Sequence, residues 1–287
     1  MAMPEILVGL GTDPEVTAEL DWAAAEAQAR GVRLQIVRAY HVTEVRPWTA
    51  ELDHTLVEDL RQTSEHRLQH AVGYLREKWP EVEVDIEVVD GVPSEVLVDR
   101  SAAAVLTVVG SRQLGALGAA ALGSVSTVVA AAGHGPVVVV ARPGAAPGAP
   151  GVVVVGVDGS QHQDEVLEFA FDYATRHGRP LHAVYCWRPD VLVTSQWRAA
   201  QPAPERASRW LAEMTAGWQE KYPDVELHRG VVRDHPVAGL VAASAGEDLL
   251  VVGSRSRHAR IATLLGSVSQ GVLHHATVPV AVVHPRG

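Results

Sequence analysis

The amino-acid sequence predicts an α/β protein with two tandem doubly wound domains, each a five-stranded parallel sheet in the order 3-2-1-4-5 flanked by helices. Three observations predict this fold class. The second half of the chain repeats the first, short β-branched runs alternate with helical patterns, and several of those runs are apolar on both faces. Right-handed crossovers between alternating strands and helices give a doubly wound sheet, whose covered parallel strands are apolar on both sides.

The internal repeat spans nearly the whole chain. Three pairs of segments carry it: Trp79-Pro80 with Tyr222-Pro223, 108–126 with 251–269, and 6–15 with 153–162. The first two pairs are 143 residues apart and the third is 147 apart, so the repeats differ in length by four residues between positions 40 and 80. A repeat of this length is a complete domain, larger than a solenoid unit.

Ten short β-branched or apolar runs are predicted to be strands. In the first repeat they are Ile6–Leu10, Leu34–Tyr40, Val82–Val89, Val105–Val109 and Val137–Ala141. In the second repeat they are Val152–Val157, Leu181–Trp187, Glu226–Val232, Leu249–Val252 and Val278–Val283. Runs of four valines, as at 137–140 and 152–155, fit strands buried between two helix layers.

The first helix of the first repeat carries signals at both ends. Asp13 is a good N-cap, Pro14 suits the first helical position, and Gly31 follows the predicted end. An apolar stripe at helical spacing is supplied by Val16, Leu20, Ala24 and Ala27.

The corresponding helix of the second repeat is predicted from a similar pattern. Ser160 and Gln163 have the spacing of a capping box, and Gly178 is the expected terminator. The Pro/Gly/Ala-rich stretch between the repeats predicts a linker. The expected domains are therefore residues 1–142 and 152–287, joined by a linker at 143–151.

Composition limits the function classes. The net charge of −10 disfavours nucleic acid and membrane surfaces as partners. Neither a signal peptide nor an apolar run of about 18 residues is evident, and Cys186 is the one cysteine, so a cytoplasmic location is expected. Cys186 lacks an evident histidine and carboxylate partner, which favours a packing role over a nucleophilic one.

Glycine- and serine-rich loops after the fourth strands are the candidate binding elements. Gly110 and Gly123 are 13 residues apart, as are Gly253 and Gly266, and a Gly-Ser-Val-Ser sequence opens the next helix in both repeats. Its residues are Gly123, Ser124, Val125 and Ser126, and Gly266, Ser267, Val268 and Ser269. Free backbone amides at such a helix start favour a phosphate, although a Gly-Ser start can also be a cap only.

Other chemistries fit the sequence less well. Neither a complete GxGxxG fingerprint nor a P-loop is present. His66 and His70 have helical spacing but lack an HExxH motif or a cysteine partner, and His274 and His275 are adjacent and face different directions. No metal site is therefore expected, and the charged crossover 41–78 is expected to be a solvated helical face.

These residues resemble the universal stress protein family over nearly the whole chain. The family's nucleotide-binding branch has Gly, two residues, Gly, nine residues and Gly-Ser; Gly110, Gly123-Ser124, Gly253 and Gly266-Ser267 match it, whereas Gln113 and Ser256 replace the middle glycine. The resemblance implies an Asp at the end of the first strand that contacts the nucleotide. Asp158 occupies this place in the second repeat and Gly11 in the first.

The resemblance also implies a ligand and a mode of assembly. The ligand is ATP, with or without Mg²⁺, and its adenine would contact Leu10 and Ala39, or Val157 and Cys186. The fifth strands, Val137–Ala141 and Val278–Val283, would pair antiparallel across a pseudo-twofold axis within one chain. Whether two chains form a homodimer, and which protein is the partner, stay open.

The residues predict that the second repeat binds ATP more tightly. Asp158 supplies an acceptor, and Ser256 adds only a small side chain. The loop of the second repeat carries Arg255, Arg257 and Arg260, whereas that of the first has Arg112 alone, the bulkier Gln113, and Asp13 and Glu15 near the crevice. Carboxylates repel phosphate.

Three functions remain for the chain as a whole. The leading hypothesis is a nucleotide-binding regulatory protein of the stress response. The second is an interaction protein that works without ATP and retains vestigial loops. The third is a slow ATPase, which is disfavoured because no lysine is placed on the loop and no general base is evident.

Overall fold

Two units divide the chain, Met1–Arg142 and Pro143–Gly287. The structure is a computed structural model that describes residues 4–11, 18–41, 50–113, 120–121, 123–140, 151–187, 204–254 and 265–285. Apart from Gly151, the expected linker at 143–151 lies outside the described residues.

The first unit contains a parallel sheet in the order β3-β2-β1-β4-β7. Its elements are β1 (Glu5–Gly9), α1 (Ala18–Arg30), β2 (Arg33–Tyr40), α2 (Ala50–Lys78), β3 (Val84–Asp90), α3 (Pro93–Ser101), β4 (Leu106–Gly110), β5 (Arg112–Gln113), β6 (Ala120–Ala121), α4 (Ser124–Ala132) and β7 (Val137–Val140). Val8 of β1 pairs with Ile36 on one side and Val108 on the other. The winding direction therefore reverses at β1 and β4, as predicted.

The second unit repeats this topology in the order β10-β9-β8-β11-β12. Its elements are β8 (Val153–Gly156), α5 (Gln163–His177), β9 (Leu181–Cys186), α6 (Pro204–Lys221), β10 (Leu227–Val232), α7 (Pro236–Ser244), β11 (Leu249–Gly253), α8 (Ser267–His275) and β12 (Val280–Val283). Val155 of β8 pairs with Ala183 of β9 and Val251 of β11. The predicted α/β class and strand order are confirmed in both units.

The predicted strands begin and end within two residues of the observed ones. The last strand begins at Val280 rather than Val278. Pro279 has no N–H for the ladder, although its carbonyl accepts the N–H of Leu250 at 3.0 Å. The sequence did not predict the short antiparallel pair β5–β6, whose ladder joins Arg112 to Ala121 and Gln113 to Ala120.

Apolar strands lie buried between helices in both units. Ile6, Leu7 and Val8 are at most 1% exposed, and the side chains of Val153–Val155 are fully buried. Of the predicted stripe on α1, Leu20, Ala24 and Ala27 are buried, and Val16 lies outside the described residues. Burial on both strand faces explains why these runs are continuous rather than alternating.

The expected capping box at the start of α5 is wrong. The N-cap position is His162, and its side chain makes no capping bond. Gly159, with φ of 66°, reverses the chain and turns the N–H groups of Asp158 and Gly159 toward Gln163 Oε1, at 2.8 and 3.3 Å. Gln163 therefore caps the preceding turn rather than the N-cap residue.

The helix terminators are confirmed where they can be described. Gly31 and Gly178 follow α1 and α5 with φ of 64° and 59°, in the left-handed region that glycine adopts without a Cβ penalty. The predicted cap at Asp13 and Pro14 lies outside the described residues.

The crossover helix α2 has a charged, exposed surface, as expected. Arg61 donates to both carboxylate oxygens of Glu58, which lowers the pKa of that carboxyl to about 2, and it also pairs with Glu65. Among the helices of the described ranges, none is both long and apolar enough to traverse a lipid bilayer.

Candidate functional site

A cavity of about 330 Å³ lies at the carboxyl ends of β8, β9 and β11 in the second unit. Its walls come from those strand ends and from the starts of α5, α7 and α8. The lining residues are Gly156, Val157, Asp158, Ser160, Gln163, Val166, Val184, Tyr185, Cys186, His235, Pro236, Leu240, Val252, Gly253, Ser267, Val268 and Ser269. This is the switch point at which a doubly wound sheet binds its ligands.

Seven of the residues predicted from the second repeat share this cavity. They are Val157, Asp158, Cys186, Gly253, Ser267, Val268 and Ser269. Gly266 directly precedes Ser267 and is the N-cap residue of α8. The loop residues Arg255 and Ser256, together with Arg257 and Arg260, lie outside the described residues.

The start of α8 brings backbone donors to the cavity. Gln270 N–H donates the first helical hydrogen bond, to Gly266 O at 2.9 Å, so the amides of Ser267, Val268 and Ser269 precede this donor and have no acceptor within the helix. Ser269 Oγ donates to Gly253 O at 2.6 Å and joins the helix start to the end of β11. Amides without an acceptor in the helix and the helix dipole together favour an anion at this position.

The turn after β8 is held by its own side chains. Asp158 Oδ1 accepts the N–H of Ser160 at 2.8 Å, which fixes the carboxylate beside the cavity. Gln163 is 2% exposed, and its Nε2 has no hydrogen-bond partner within the described part of the chain. The Asp158 carboxylate, an acceptor, and the Gln163 carboxamide, which carries a donor, are therefore close together at this turn.

Two further elements of the wall were missed by the sequence argument. His235 Nδ1 accepts the N–H of Val237 at 3.3 Å and caps α7, and Pro236 follows it. Both come after β10, the third strand of the unit. The signal for them was available, because all parallel strands end at the same edge of a sheet.

Cys186 is the thiol of this cavity. Burial, followed by the charge of Asp234, raises its pKa to about 11, and Sγ lies 3.8 Å from Pro236 O. A thiol with this pKa is protonated at neutral pH, in agreement with the expected packing role.

The remaining wall is apolar and shaped by branched side chains. It consists of Val157, Val166, Val184, Leu240 and Val252. Such a wall suits a flat ring, while the turn at Asp158 and the start of α8 supply polar contacts at the edges.

The first unit brings its predicted residues to the equivalent edge of its own sheet. Leu10 N–H donates to Val37 O at 2.9 Å, the counterpart of the bond from Val157 to Val184. Leu10 and Ala39 thus lie at the ends of neighbouring strands, with Gly110 at the end of β4. Gly123 is the N-cap residue of α4, whose first residues are Ser124, Val125 and Ser126, and Ser126 Oγ donates to Gly110 O at 2.6 Å.

Part of the predicted first-repeat site lies outside the described side chains. Arg112 and Gln113 form β5, but their side chains lie outside what the structure describes, and Asp13 and Glu15 lie outside the described residues.

A buried carboxylate distinguishes the crevice of the first unit. A methyl group built on Gly110 would lie 2.5 Å from Glu19 Oε1, and Glu19 is only 5% exposed. Val166 stands 147 residues later, at the corresponding position, and lines the cavity of the second unit. This difference was not predicted, although the two repeats show it when they are aligned.

Arg38 also separates the first unit from the second. Its guanidinium is buried and donates to the carbonyls of Leu10 and Gly11 and to Ser64 Oγ. Burial, followed by the charge of Arg67, lowers its pKa from the usual value. It therefore occupies the backbone acceptors at the end of β1, where the second repeat has Tyr185 in place of the arginine.

Within the described ranges, no group of three or more His, Cys, Asp or Glu side chains could hold a metal ion.

Comparisons with known proteins agree on one family. The sequence profile of the Universal stress protein family matches residues 3–141 and 151–284. A universal stress protein of Mycolicibacterium smegmatis is 34% identical over 98% of this chain and 97% of its own, and one of Mycobacterium tuberculosis is 36% identical over 96% of each. A crystal structure of a universal stress protein from Archaeoglobus fulgidus superposes with a TM-score of 0.72 at 19% identity, over 99% of this chain and 98% of that one.

Proposed function

Because the chain belongs to the universal stress protein family, we propose that its second unit binds an adenine nucleotide, ATP with or without Mg²⁺, as a regulatory ligand of the stress response. The nucleoside would lie against the apolar wall of the cavity. The phosphates would lie at the start of α8, where the amides of Ser267, Val268 and Ser269 precede the helical hydrogen bonds.

One observation carries this proposal. The same cavity joins an anion-binding helix start, an apolar wall and the Asp158 carboxylate, which are the three kinds of contact that a nucleotide needs. Ligand pockets usually have volumes of about 300–1,000 Å³. The cavity of about 330 Å³ lies within this range, and it would hold the nucleoside with the phosphates at its edge, beside the start of α8.

Calorimetric titration with ATP tests the proposal directly. Wild-type protein is expected to bind, and Asp158→Ala to bind about tenfold more weakly because one hydrogen bond to a charged group is lost. Asp164→Ala removes an exposed carboxylate near the start of α5, is the control and should match the wild type. Absence of ATP binding by the wild type would contradict the proposal.

Cys186 offers an independent measurement, because it is the chain's one cysteine and lines the cavity. Bound ATP should slow its alkylation, whereas uridine monophosphate at the same concentration is the control ligand. Equal alkylation rates with and without saturating ATP would place the nucleotide elsewhere.

The proposal includes tighter binding in the second unit. Glu19 places a carboxylate against Gly110 in the first unit, where the second has Val166. Two charges of the same sign about 4 Å apart repel each other by up to about 4 kcal/mol near a protein surface. Val166→Glu is therefore expected to weaken ATP binding at least about tenfold more than the uncharged Val166→Gln. Equal affinities would remove this explanation.

Binding without turnover is the proposed activity. Among the described residues, the cavity lining contains no lysine, and phosphoryl transfer depends on positioned positive charge and metal. ADP release by the wild type that Asp158→Ala abolishes would instead establish an ATPase.

A second candidate function, interaction without ATP, is favoured by the first unit alone. There Arg38 occupies the carbonyls of Leu10 and Gly11, and Glu19 stands beside Gly110. Native mass spectrometry of protein purified without added nucleotide distinguishes the two, since a co-purified adenine nucleotide contradicts the second candidate. We also propose that Val137–Ala141 pairs with Val278–Val283 within the chain and that two chains form a homodimer. Native mass spectrometry reports the mass of such a dimer.

A further inference from the structure

Gln163 is a buried polar residue in the wall of the cavity. It is the first residue of α5, it is 2% exposed, and it lines the cavity together with Asp158 and Ser160. A side chain with a carboxamide is unusual at such depth unless its polar atoms are paired.

One half of that carboxamide is paired and fixes its orientation. Oε1 accepts the N–H of Asp158 at 2.8 Å and the N–H of Gly159 at 3.3 Å. Both partners are backbone donors, so the amide cannot be reversed without placing two donors against two donors. The orientation of Nε2 follows from these two bonds.

The other half of the carboxamide has no partner among the residues that the structure describes. Nε2 is buried, and the described residues supply no acceptor for it. Gln163 lines the cavity, and Nε2 is the group of its carboxamide that lacks a partner among the described residues. A buried donor without a partner is unfavourable in the empty protein, and an acceptor on a ligand would remove this penalty.

We propose that Gln163 determines specificity in the second unit by donating a hydrogen bond from Nε2 to an acceptor atom on the adenosine part of the bound nucleotide. This inference rests on the proposed function. The first repeat has Val16 at the corresponding position, so the donor belongs to the second repeat alone.

Two variants of Gln163 and one control test the donor. Gln163→Glu keeps the length and the acceptor for the N–H groups of Asp158 and Gly159, but it replaces the donor by an acceptor. Gln163→Met removes the donor without adding charge. Gln161→Glu adds the same charge at an exposed position two residues earlier and is the control. ATP affinity is measured by calorimetry, and thermal melting without ligand reports whether each variant folds.

Both Gln163 variants are expected to bind ATP at least about fivefold more weakly than the Gln161→Glu control, as for the loss of a buried hydrogen bond. If ATP binds the wild type but either folded Gln163 variant binds as tightly as the control, the inference is wrong and the proposed function stands. If the wild type does not bind ATP, both are wrong. Should Gln163→Met fail to fold, the comparison of Gln163→Glu with Gln161→Glu decides alone.

Discussion

A close contact between α7 and β9 gives a sharp test of how the cavity floor is packed. Gly239 is buried within α7, and a methyl group built on it would lie 2.8 Å from Cys186 Sγ and 3.2 Å from Val232 Cγ1. The first repeat has the reverse arrangement, with the small Ala39 on the strand and the larger Val96 on the helix. Substitution of Gly239 by alanine therefore tests whether the sulfur needs this space.

Two opposing terms determine the effect of Gly239→Ala on the free energy of unfolding. Alanine is better than glycine inside a helix by about 1 kcal/mol, whereas overpacking a core destabilises by about 1–3 kcal/mol. The net effect should be a loss of up to about 2 kcal/mol. In a Cys186→Ala background the sulfur is absent, so we expect Gly239→Ala to be less destabilising by about 1–2 kcal/mol.

Urea denaturation of the wild type, both single variants and the double variant measures this coupling. Circular dichroism follows the loss of helix, and the double-mutant cycle isolates the contact between the two side chains. Independent sites add to within about 0.3–0.5 kcal/mol. A coupling within that range would refute the packing argument.

Three further predictions concern the second unit. Because burial raises the pKa of Cys186 from 9.0 to about 11, iodoacetamide at neutral pH should alkylate the folded protein about 100-fold more slowly than the urea-unfolded chain, and equal rates would contradict this. Burial lowers the pKa of His182, so its neutral form stabilises the fold above the unfolded pKa, and this contribution is lost as pH falls through the folded pKa. Replacing His182 with glutamine, the residue at position 35 of the first repeat, should make the free energy of unfolding less sensitive to pH between about 7 and 5. An unchanged slope of this free energy against pH would contradict the prediction. Gly178→Ala should destabilise by about 1 kcal/mol because φ is 59°, whereas Gly217→Ala, in α6 with open space around it, should stabilise by up to about 1 kcal/mol in thermal melts; the opposite order would count against the reasoning.

The architecture was predictable because its signals are local and occur twice. Continuous apolar runs such as Val153–Val155 fit strands covered by helices on both faces, and Gly31 and Gly178 mark helix ends by backbone conformation. The β5–β6 pair was not predicted from the sequence because two-residue ladders have no periodic pattern. The capping box failed because Ser-x-x-Gln spacing does not show which N–H groups the glutamine reaches; the turn at Gly159 decides this.

The candidate site was predictable where it depends on backbone and less so where side chains converge. The Gly-Ser helix start at Gly266 and Asp158 at the strand end follow from sequence position alone. Gln163 acts through an unexpected turn, Glu19 through its approach to the distant Gly110, and His235 through its place in the cavity wall. Such convergence is a property of the folded chain, so spacing within one repeat does not reveal it.

The serine bonds from Ser126 Oγ to Gly110 O and from Ser269 Oγ to Gly253 O, both 2.6 Å long, have a consequence for how this protein can diverge. Each bond anchors a helix to the preceding strand with atoms outside the intervening segment. That segment reads SRQLGALGAAAL in one copy and SRSRHARIATLL in the other. These segments can therefore be exchanged, by evolution or by design, to change which ligand each crevice binds. The serine hydrogen bond that joins helix to strand is kept in either case.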